Sequence, residues 1–330
     1  MTSRQAELDL MRAVAVLMVL FAHLSKFTEA ASRLPQMGRL FVRIAEGAGW
    51  MGVDLFFVLS GFLVSGLLFR EFTKYHTIRP GRFYIRRGLK IYPAFYLLML
   101  GTVVWIVVTR YPNSTGHIFA ECLFVQNYLP GIYSHTWSLA VEEHFYLLLP
   151  VFLVLLESLS RDQAAPFRHL PLGFAIIAVL CLTFRLLTSG PSVNATEKCY
   201  QNSHLRMDSL MFGVLLSYYY QFRYQQLCKF TCNHRTMITI FCLVCLGAAR
   251  LPRSEWWLQT FRYSFLYLSF GSLLLLLCVP KNSRRSLVLN RAGFCWSSAS
   301  ILTQFTSCIF RFSWRFKRSL SRCLVTSPIL

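Results

Sequence analysis

The first apolar segment of the chain, residues 8–25, carries three polar side chains of the kinds that perform acid–base and electrostatic catalysis. Arg12 and His23 are eleven residues apart, so on a helix they share a face within roughly 20° and lie about 16 Å apart along the axis. Asp9 precedes Arg12 by three residues and can pair with its guanidinium, which reduces the cost of burying that charge. The alternative is an interfacial histidine and an arginine that snorkels to the membrane surface.

Ionisable residues also occur in other apolar segments. Asp54 lies in GVDLFFVLSGF, Glu142 lies in WSLAVEEHFYLLLP, and Arg206 and Asp208 lie in RMDSLMFGVL. Charged groups at membrane depth are costly and normally face the interior of a helix bundle, where they have a partner or a role. Asp54 and Glu142 therefore have two interpretations, direct chemistry or pairing with an arginine. Arg206 and Asp208 form a charged pair that is either local to a helix end or involved in binding.

A basic cluster, RPGRFYIRRGLKIYP, differs from these sites because it is rich in cations and aromatic residues. Arg86, Arg87 and Lys90 can bind phosphates through charge-assisted hydrogen bonds, while neighbouring rings stack on a nucleotide base. The alternative is purely topogenic charge with interfacial aromatic residues.

The segments that must position these residues are long and apolar. The chain has 330 residues, of which 55% are hydrophobic, and its mean hydropathy is +0.46, which is more apolar than a typical soluble domain. The apolar blocks lack the two-residue alternation of barrel strands, and most are long enough for a helix to cross a bilayer. We predict an all-α, polytopic membrane helix bundle of about eight spans, at residues 8–25, 52–69, 91–109, 137–156, 171–188, 207–222, 236–251 and 261–279.

The net charge of +20 follows membrane topology, so we expect no nucleic-acid partner. Residues 70–90 carry seven Lys or Arg and a single acid, which marks this loop as cytoplasmic and puts the N-terminus inside. The loops at 26–51, 109–136 and 189–206 then face outward. We expect a multi-pass integral protein of the plasma or inner membrane.

Two regions differ in composition. Residues 1–280 form one transmembrane domain, whereas residues 281–330 contain nine Lys or Arg and no acid. This tail is either a basic cytoplasmic segment near anionic lipid or a divergent or mis-framed sequence. The eleven cysteines show no disulfide framework and no complete ligand set, so we expect them to pack as small apolar residues without a metal.

Five segments occur in an order that resembles the acyltransferase 3 family of membrane proteins, from about residue 8 to 280. They are LDLMRAVAVLMVLFAHLS, GVDLFFVLSGFLVSG, FYIRRGLKIYPAFY, TWSLAVEEHFYLLLP and RMDSLMFGVL. The resemblance implies an enzyme that transfers an acyl group, commonly acetyl from acetyl-coenzyme A, to a hydroxyl of a carbohydrate or similar envelope molecule. Members of this family typically have about ten spans.

The resemblance also implies roles for particular residues. The essential arginine and histidine of the family fall on Arg12 and His23, and its cytoplasmic basic motif falls on Arg86, Arg87 and Lys90. The remaining motif positions match Asp54, Glu142, Arg206 and Asp208. The implied partners are acyl-coenzyme A, a carbohydrate or lipid-linked acceptor, and membrane lipids.

A mechanism follows as a hypothesis. His23 acts as general base on the acceptor hydroxyl, and Arg12 orients the donor or stabilises charge on the thioester oxygen. Glu142 is a further candidate catalytic residue. A covalent acyl-enzyme is equally open, with Ser60 as a weak nucleophile candidate because no base lies beside it in sequence. The competing classes are a transporter, in which the charges line a path, and an inactive relative.

Overall fold

The computed structural model describes residues 3–24, 35–39, 48–110, 115–160, 165–251 and 254–279. Within these ranges the regular structure is helical and contains no strand, which confirms the all-α prediction. A 3₁₀ turn at Ser203–Leu205 precedes α8. The helices are α1 (Ser3–Leu24), α2 (Gly52–Tyr75), α3 (Pro80–Thr109), α4 (Thr115–Cys122), α5 (Trp137–Leu159), α6 (Leu170–Thr188), α7 (Val193–Gln201), α8 (Met207–Phe222), α9 (Tyr224–Asn233), α10 (Arg235–Arg250), α11 (Glu255–Thr260) and α12 (Arg262–Cys278).

Helices lie at all eight predicted spans, but fewer of them can cross a bilayer unaided. In the described ranges, α2, α3, α5 and α6 are long and apolar enough, and α9 with α10 would make a fifth span bent by 81°. The predicted count of eight is therefore higher than the structure supports. Helix α1 has four charged residues among its first ten, and α8 and α12 are only 16 and 17 residues long, short of the roughly 20 that a span needs.

Helix α2 is the centre of the bundle, and 83% of its most apolar 18 residues are buried. It contacts α8 so closely that the two backbones touch. A Cβ placed on Gly61 would lie 1.9 Å from the carbonyl oxygen of Leu210, and one on Gly213 would lie 2.2 Å from that of Val58. Small residues at such a crossing allow membrane helices to pack through their backbones. This contact fixes the position of Asp54 on α2 relative to the start of α8.

Helices α3 and α6 lie at the periphery. Only 22% and 17% of their most apolar stretches are buried, and large apolar side chains such as Leu97, Val107 and Val179 are exposed. Because exposed apolar surface of this extent suits hydrocarbon rather than water, these faces are expected to contact lipid.

The connection between α4 and α5 is held by a buried carboxylate. Glu121 has no exposed surface and accepts hydrogen bonds from the Tyr133 backbone N–H at 2.9 Å and the Thr136 hydroxyl at 3.0 Å. The Gln126 amide donates to the Thr136 carbonyl at 3.1 Å. The loop is thereby fixed against the start of α5, and burial raises the pKa of Tyr133 in it.

Candidate active site

Arg12 lies on α1, which packs against α2 and α12. Its guanidinium donates to Asp9 at 2.8 Å, and its side chain is only 13% exposed. Arg87 on α3 and Tyr146 on α5 are within electrostatic range of it. The structure thus places the Asp9–Arg12 pair as the sequence predicts. His23 belongs to α1, but its side chain lies outside the described part of the chain, so the shared face with Arg12 stays a prediction.

Glu142 ends a chain of three buried hydroxyl and carboxylate groups. The Tyr146 hydroxyl donates to Glu142 Oε2 at 2.7 Å, and the Ser60 Oγ lies 2.6 Å from the Tyr146 oxygen. Because the Tyr146 hydroxyl donates its proton to Glu142, its oxygen accepts the hydrogen bond from the Ser60 hydroxyl. A carboxylate is therefore linked to Ser60 through one tyrosine. Sequence reasoning missed Tyr146, although its position four residues after Glu142 on one helix face is a readable signal.

The basic cluster is split by the fold of α3. Arg87 is buried, with its guanidinium 4.6 Å from the ring centroid of Tyr146 and 5.8 Å from that of Phe83. Lys90 is half-buried and Arg86 is exposed. A helix turns by about 100° per residue, so adjacent arginines cannot face the same way. The structure buries Arg87 against Tyr146 and leaves Arg86 on the surface.

Three consecutive polar residues of α5 reach three different neighbours. Glu142 belongs to the chain just described, and Glu143 accepts a hydrogen bond from Tyr92 at 3.3 Å. His144 Nδ1 lies 2.6 Å from the Ser203 hydroxyl. This turn of α5 therefore reaches polar groups of α2, α3 and the 3₁₀ turn in three different directions.

A second polar cluster surrounds Ser203. The Asn127 amide donates to Ser203 Oγ at 2.7 Å, and the exposed ring of Tyr128 stacks on His204 with its hydroxyl 2.9 Å from His204 Nδ1. Desolvation by the packed rings lowers the pKa of His204. No sequence pattern predicts this cluster, because Ser203 is 59 residues from His144 and 76 from Asn127.

Two buried ion pairs connect α2, α6 and α8. Arg206 donates to Asp54 at 2.6 Å, and Arg185 donates to Asp208 at 2.5 Å, with all four side chains fully buried. Arg185 also donates to the Ser264 hydroxyl at 3.1 Å. The prediction that Arg206 and Asp208 pair with each other is wrong, because residues two apart do not face each other on a helix.

The ion pairs form a neutral group of four charges. The guanidinium of Arg206 lies 3.9 Å from the ring centroid of Tyr263, and burial raises the pKa of the neighbouring Tyr200. Charges that are paired with each other and packed against aromatic rings are tolerated at membrane depth. This group therefore holds α2, α6 and α8 together. Within the described ranges, no cluster of three His, Cys, Asp or Glu side chains could hold a metal ion.

The chain is of the class of membrane helix bundles that bury arginine, carboxylate and hydroxyl groups. The chain matches the family described as acyltransferase domain over residues 5–303. Because this match covers most of the chain, the protein belongs to that family, and it is an integral membrane protein.

Several curated relatives are similar to the chain over their shared region. Peptidoglycan O-acetyltransferase OatA of Listeria monocytogenes is 26% identical over 232 residues, which are 65% of this chain and 34% of OatA. "Putative O-acetyltransferase SACOL0978" of Staphylococcus aureus is 29% identical over 230 residues, 64% of this chain and 34% of the relative. "Putative peptidoglycan O-acetyltransferase YrhL" of Bacillus subtilis is 26% identical over 295 residues, 82% of this chain and 43% of the relative.

The chain thus spans less than half the length of these relatives. No solved structure matches it.

Proposed function

We propose that this protein is a membrane O-acyltransferase that moves an acyl group, acetyl in the first instance, from acyl-coenzyme A to a hydroxyl of a cell-wall carbohydrate. The observation that carries the proposal is the buried Ser60–Tyr146–Glu142 chain with the Arg87 guanidinium 4.6 Å from the Tyr146 ring centroid. Arg12 interacts electrostatically with Arg87 and Tyr146. The names of the Listeria and Bacillus relatives support peptidoglycan as the acceptor.

The depth of this site suits transfer across a membrane. Tyr146 is nine residues after the start of α5, which is about 13 Å along the helix axis. With the start of α5 at the boundary of the hydrocarbon core, which is about 30 Å thick, the site lies near the middle of that core. A donor that enters from the basic side and an acceptor that enters from the opposite side can both reach this depth. The charge of residues 70–90 makes the donor side cytoplasmic and puts the N-terminus there.

The steps of acyl transfer are assigned to particular side chains of the site. Arg12 and Arg87 stabilise the negative charge that develops on the thioester oxygen when the acceptor oxygen attacks. The acceptor hydroxyl loses its proton to a base, for which His23 and Glu142 are the candidates. The carbon–sulfur bond breaks, and the thiolate of coenzyme A takes up a proton. Arg86 and Lys90, nearer the basic surface, contact the phosphates of the donor.

Purified protein in lipid vesicles should consume radiolabelled acetyl-coenzyme A and transfer label to a peptidoglycan fragment. Tyr146→Phe removes the hydroxyl that connects Ser60 with Glu142 and should reduce turnover about 10²- to 10⁴-fold, the usual contribution of positioned proton transfer. Tyr96→Phe is the matched control, because the Tyr96 hydroxyl donates to a backbone carbonyl, that of Cys122. Intact protein that neither consumes acetyl-coenzyme A nor transfers label would refute the proposal and favour a transporter or an inactive relative.

A further inference from the structure

The Ser203 hydroxyl is held between a base and an amide donor. Its oxygen lies 2.6 Å from His144 Nδ1 and 2.7 Å from Asn127 Nδ2. The Asn127 Nδ2 group can only donate, so the serine oxygen accepts from it. In the His144 tautomer that carries its proton on Nε2, Nδ1 accepts the serine proton. A hydroxyl that donates to a neutral imidazole is the arrangement of an activated serine nucleophile.

Ser203 differs from other serines of the bundle in this respect. The hydroxyls of Ser65, Ser189 and Ser272 donate to backbone carbonyls three or four residues earlier in the chain. Such bonds satisfy the hydroxyl within its own helix. Ser203 instead begins a 3₁₀ turn and reaches side chains on two distant elements, so its bonding is not explained by local structure.

The three groups are fixed by independent contacts. His144 is in the second turn of α5, and Asn127 belongs to the loop that buried Glu121 holds against the start of that helix. The Ser203 carbonyl accepts from the Arg206 N–H at 3.0 Å, and Arg206 is anchored to Asp54. Preorganisation of this kind keeps a nucleophile and its base in reacting geometry.

We propose that Ser203 is a covalent acyl carrier and that His144 is its base, an inference that rests on the proposed function and replaces direct attack of the acceptor on the thioester with two transfer steps. Ser203 Oγ attacks the carbonyl carbon of an acyl thioester or ester. The new carbon–oxygen bond forms as the bond to the leaving sulfur or oxygen breaks, and the serine proton passes through His144 to the leaving group. An acceptor hydroxyl then attacks the serine ester, gives its proton to His144, and Ser203 Oγ recovers a proton as it leaves.

Access to the hydroxyl requires a local movement. Ser203 is only 3% exposed, whereas His144 is half-buried and Tyr128 is 47% exposed, with its ring centroid 6.2 Å from that of His144. Outward movement of the exposed Tyr128 ring, which would break its hydrogen bonds to His204, uncovers one side of His144. The acyl group therefore enters along the side of His144 that Tyr128 covers.

The test uses p-nitrophenyl acetate, a donor that needs no coenzyme A site, with the full chain in detergent micelles. Wild-type protein should release a burst of p-nitrophenol of up to one per chain, and peptide mass spectrometry of quenched protein should find one acetyl group on Ser203. Ser203→Ala should lose both signals. His144→Gln keeps a hydrogen-bond acceptor but no base, so the burst should slow about 10²- to 10⁴-fold. Ser189→Ala should behave as wild type.

The outcomes separate this inference from the proposed function. An acetyl group on another residue, or an undiminished burst in folded Ser203→Ala, overturns the carrier assignment. Full acetyl-coenzyme A turnover by Ser203→Ala overturns it as well and leaves the acyltransferase proposal standing. If Ser203 is labelled but acetyl-coenzyme A is not turned over, the assignment of Ser203 as a nucleophile stands and the proposed function is refuted. Ser203→Cys, which should trap the acyl group as a hydroxylamine-sensitive thioester, guards against a folding defect of the alanine variant.

Discussion

The buried pair of Asp54 and Arg206 offers the sharpest test of how this bundle is held together. The two side chains are fully buried and joined at 2.6 Å, and they connect α2 to the residue that precedes α8. Replacing Asp54 with Asn removes the negative charge and leaves the guanidinium of Arg206 buried without compensation. Replacing Arg206 with Met removes the other charge and leaves the carboxylate unpaired. The double variant has neither charge.

The expected magnitude follows from this burial. Breaking a buried pair by removing one partner typically costs about 3–5 kcal/mol, whereas replacing both charges with apolar or neutral groups is often close to neutral. We expect each single variant to lower the free energy of unfolding by about 3 kcal/mol, roughly a hundredfold in the folding equilibrium. The double variant should recover much of that loss. The coupling energy between contacting residues in such a cycle is typically about 0.5–3 kcal/mol.

The assay is denaturant titration of purified protein in mixed micelles, monitored by tryptophan fluorescence. The neighbouring pair of Arg185 and Asp208 provides a parallel cycle, since those side chains are also fully buried. If the losses of the two single variants simply add in the double variant, the two charges are not coupled. The assignment of this pair as a structural clamp would then be wrong.

Other predictions address packing, the loop and pH. Gly61→Ala should destabilise the protein by about 1–3 kcal/mol, because its Cβ would collide with the Leu210 carbonyl in a packed core; Gly101→Ala, which meets no atom within 4 Å, should not, and equal thermal shifts would contradict this. Glu121→Gln replaces an acceptor oxygen with a donor and should cost about 1–3 kcal/mol, with faster hydrogen exchange at residues 131–136; unchanged exchange would contradict it. The pKa of His204 is lowered in the fold, so its contribution to stability is complete above the unfolded value of 6.5 and declines as pH falls below it. His204→Phe should flatten that part of the pH–stability profile, and an unchanged profile would refute the assignment.

The sequence predicted the class of fold well, because hydrophobic length and charge placement are local properties. Apolar blocks indicated helices at 52–69, 91–109, 137–156 and 171–188, and helices α2, α3, α5 and α6 cover them. The spacing of Asp9 and Arg12 predicted their pair, since residues three apart share a helix face. The predicted number of spans was too high where helices are short or charged. Such a helix crosses a bilayer only when it packs against neighbouring helices, and the sequence does not identify those neighbours.

The partners of the buried charges could not be read from the chain. Arg206 and Asp208 are neighbours in sequence, yet they pair with Asp54 and Arg185, which lie on other helices. Arg185 is absent from the predicted site residues, because an arginine in the last turn of a membrane helix can also snorkel to the membrane surface. Its role depends on how α6 crosses α8, which is a matter of packing.

The amino-acid sequence by itself determined that the chain is helical, that it is apolar enough for a membrane, and which polar residues had to be accounted for. Only the tertiary structure decided which groups meet: Arg87 against the ring of Tyr146, Tyr146 between Ser60 and Glu142, and Ser203 against His144. The physical reason is that helix periodicity specifies which way a residue faces on its own helix. The neighbour it faces depends on how separate helices pack, and here the close backbone contact at Gly61 fixes that packing.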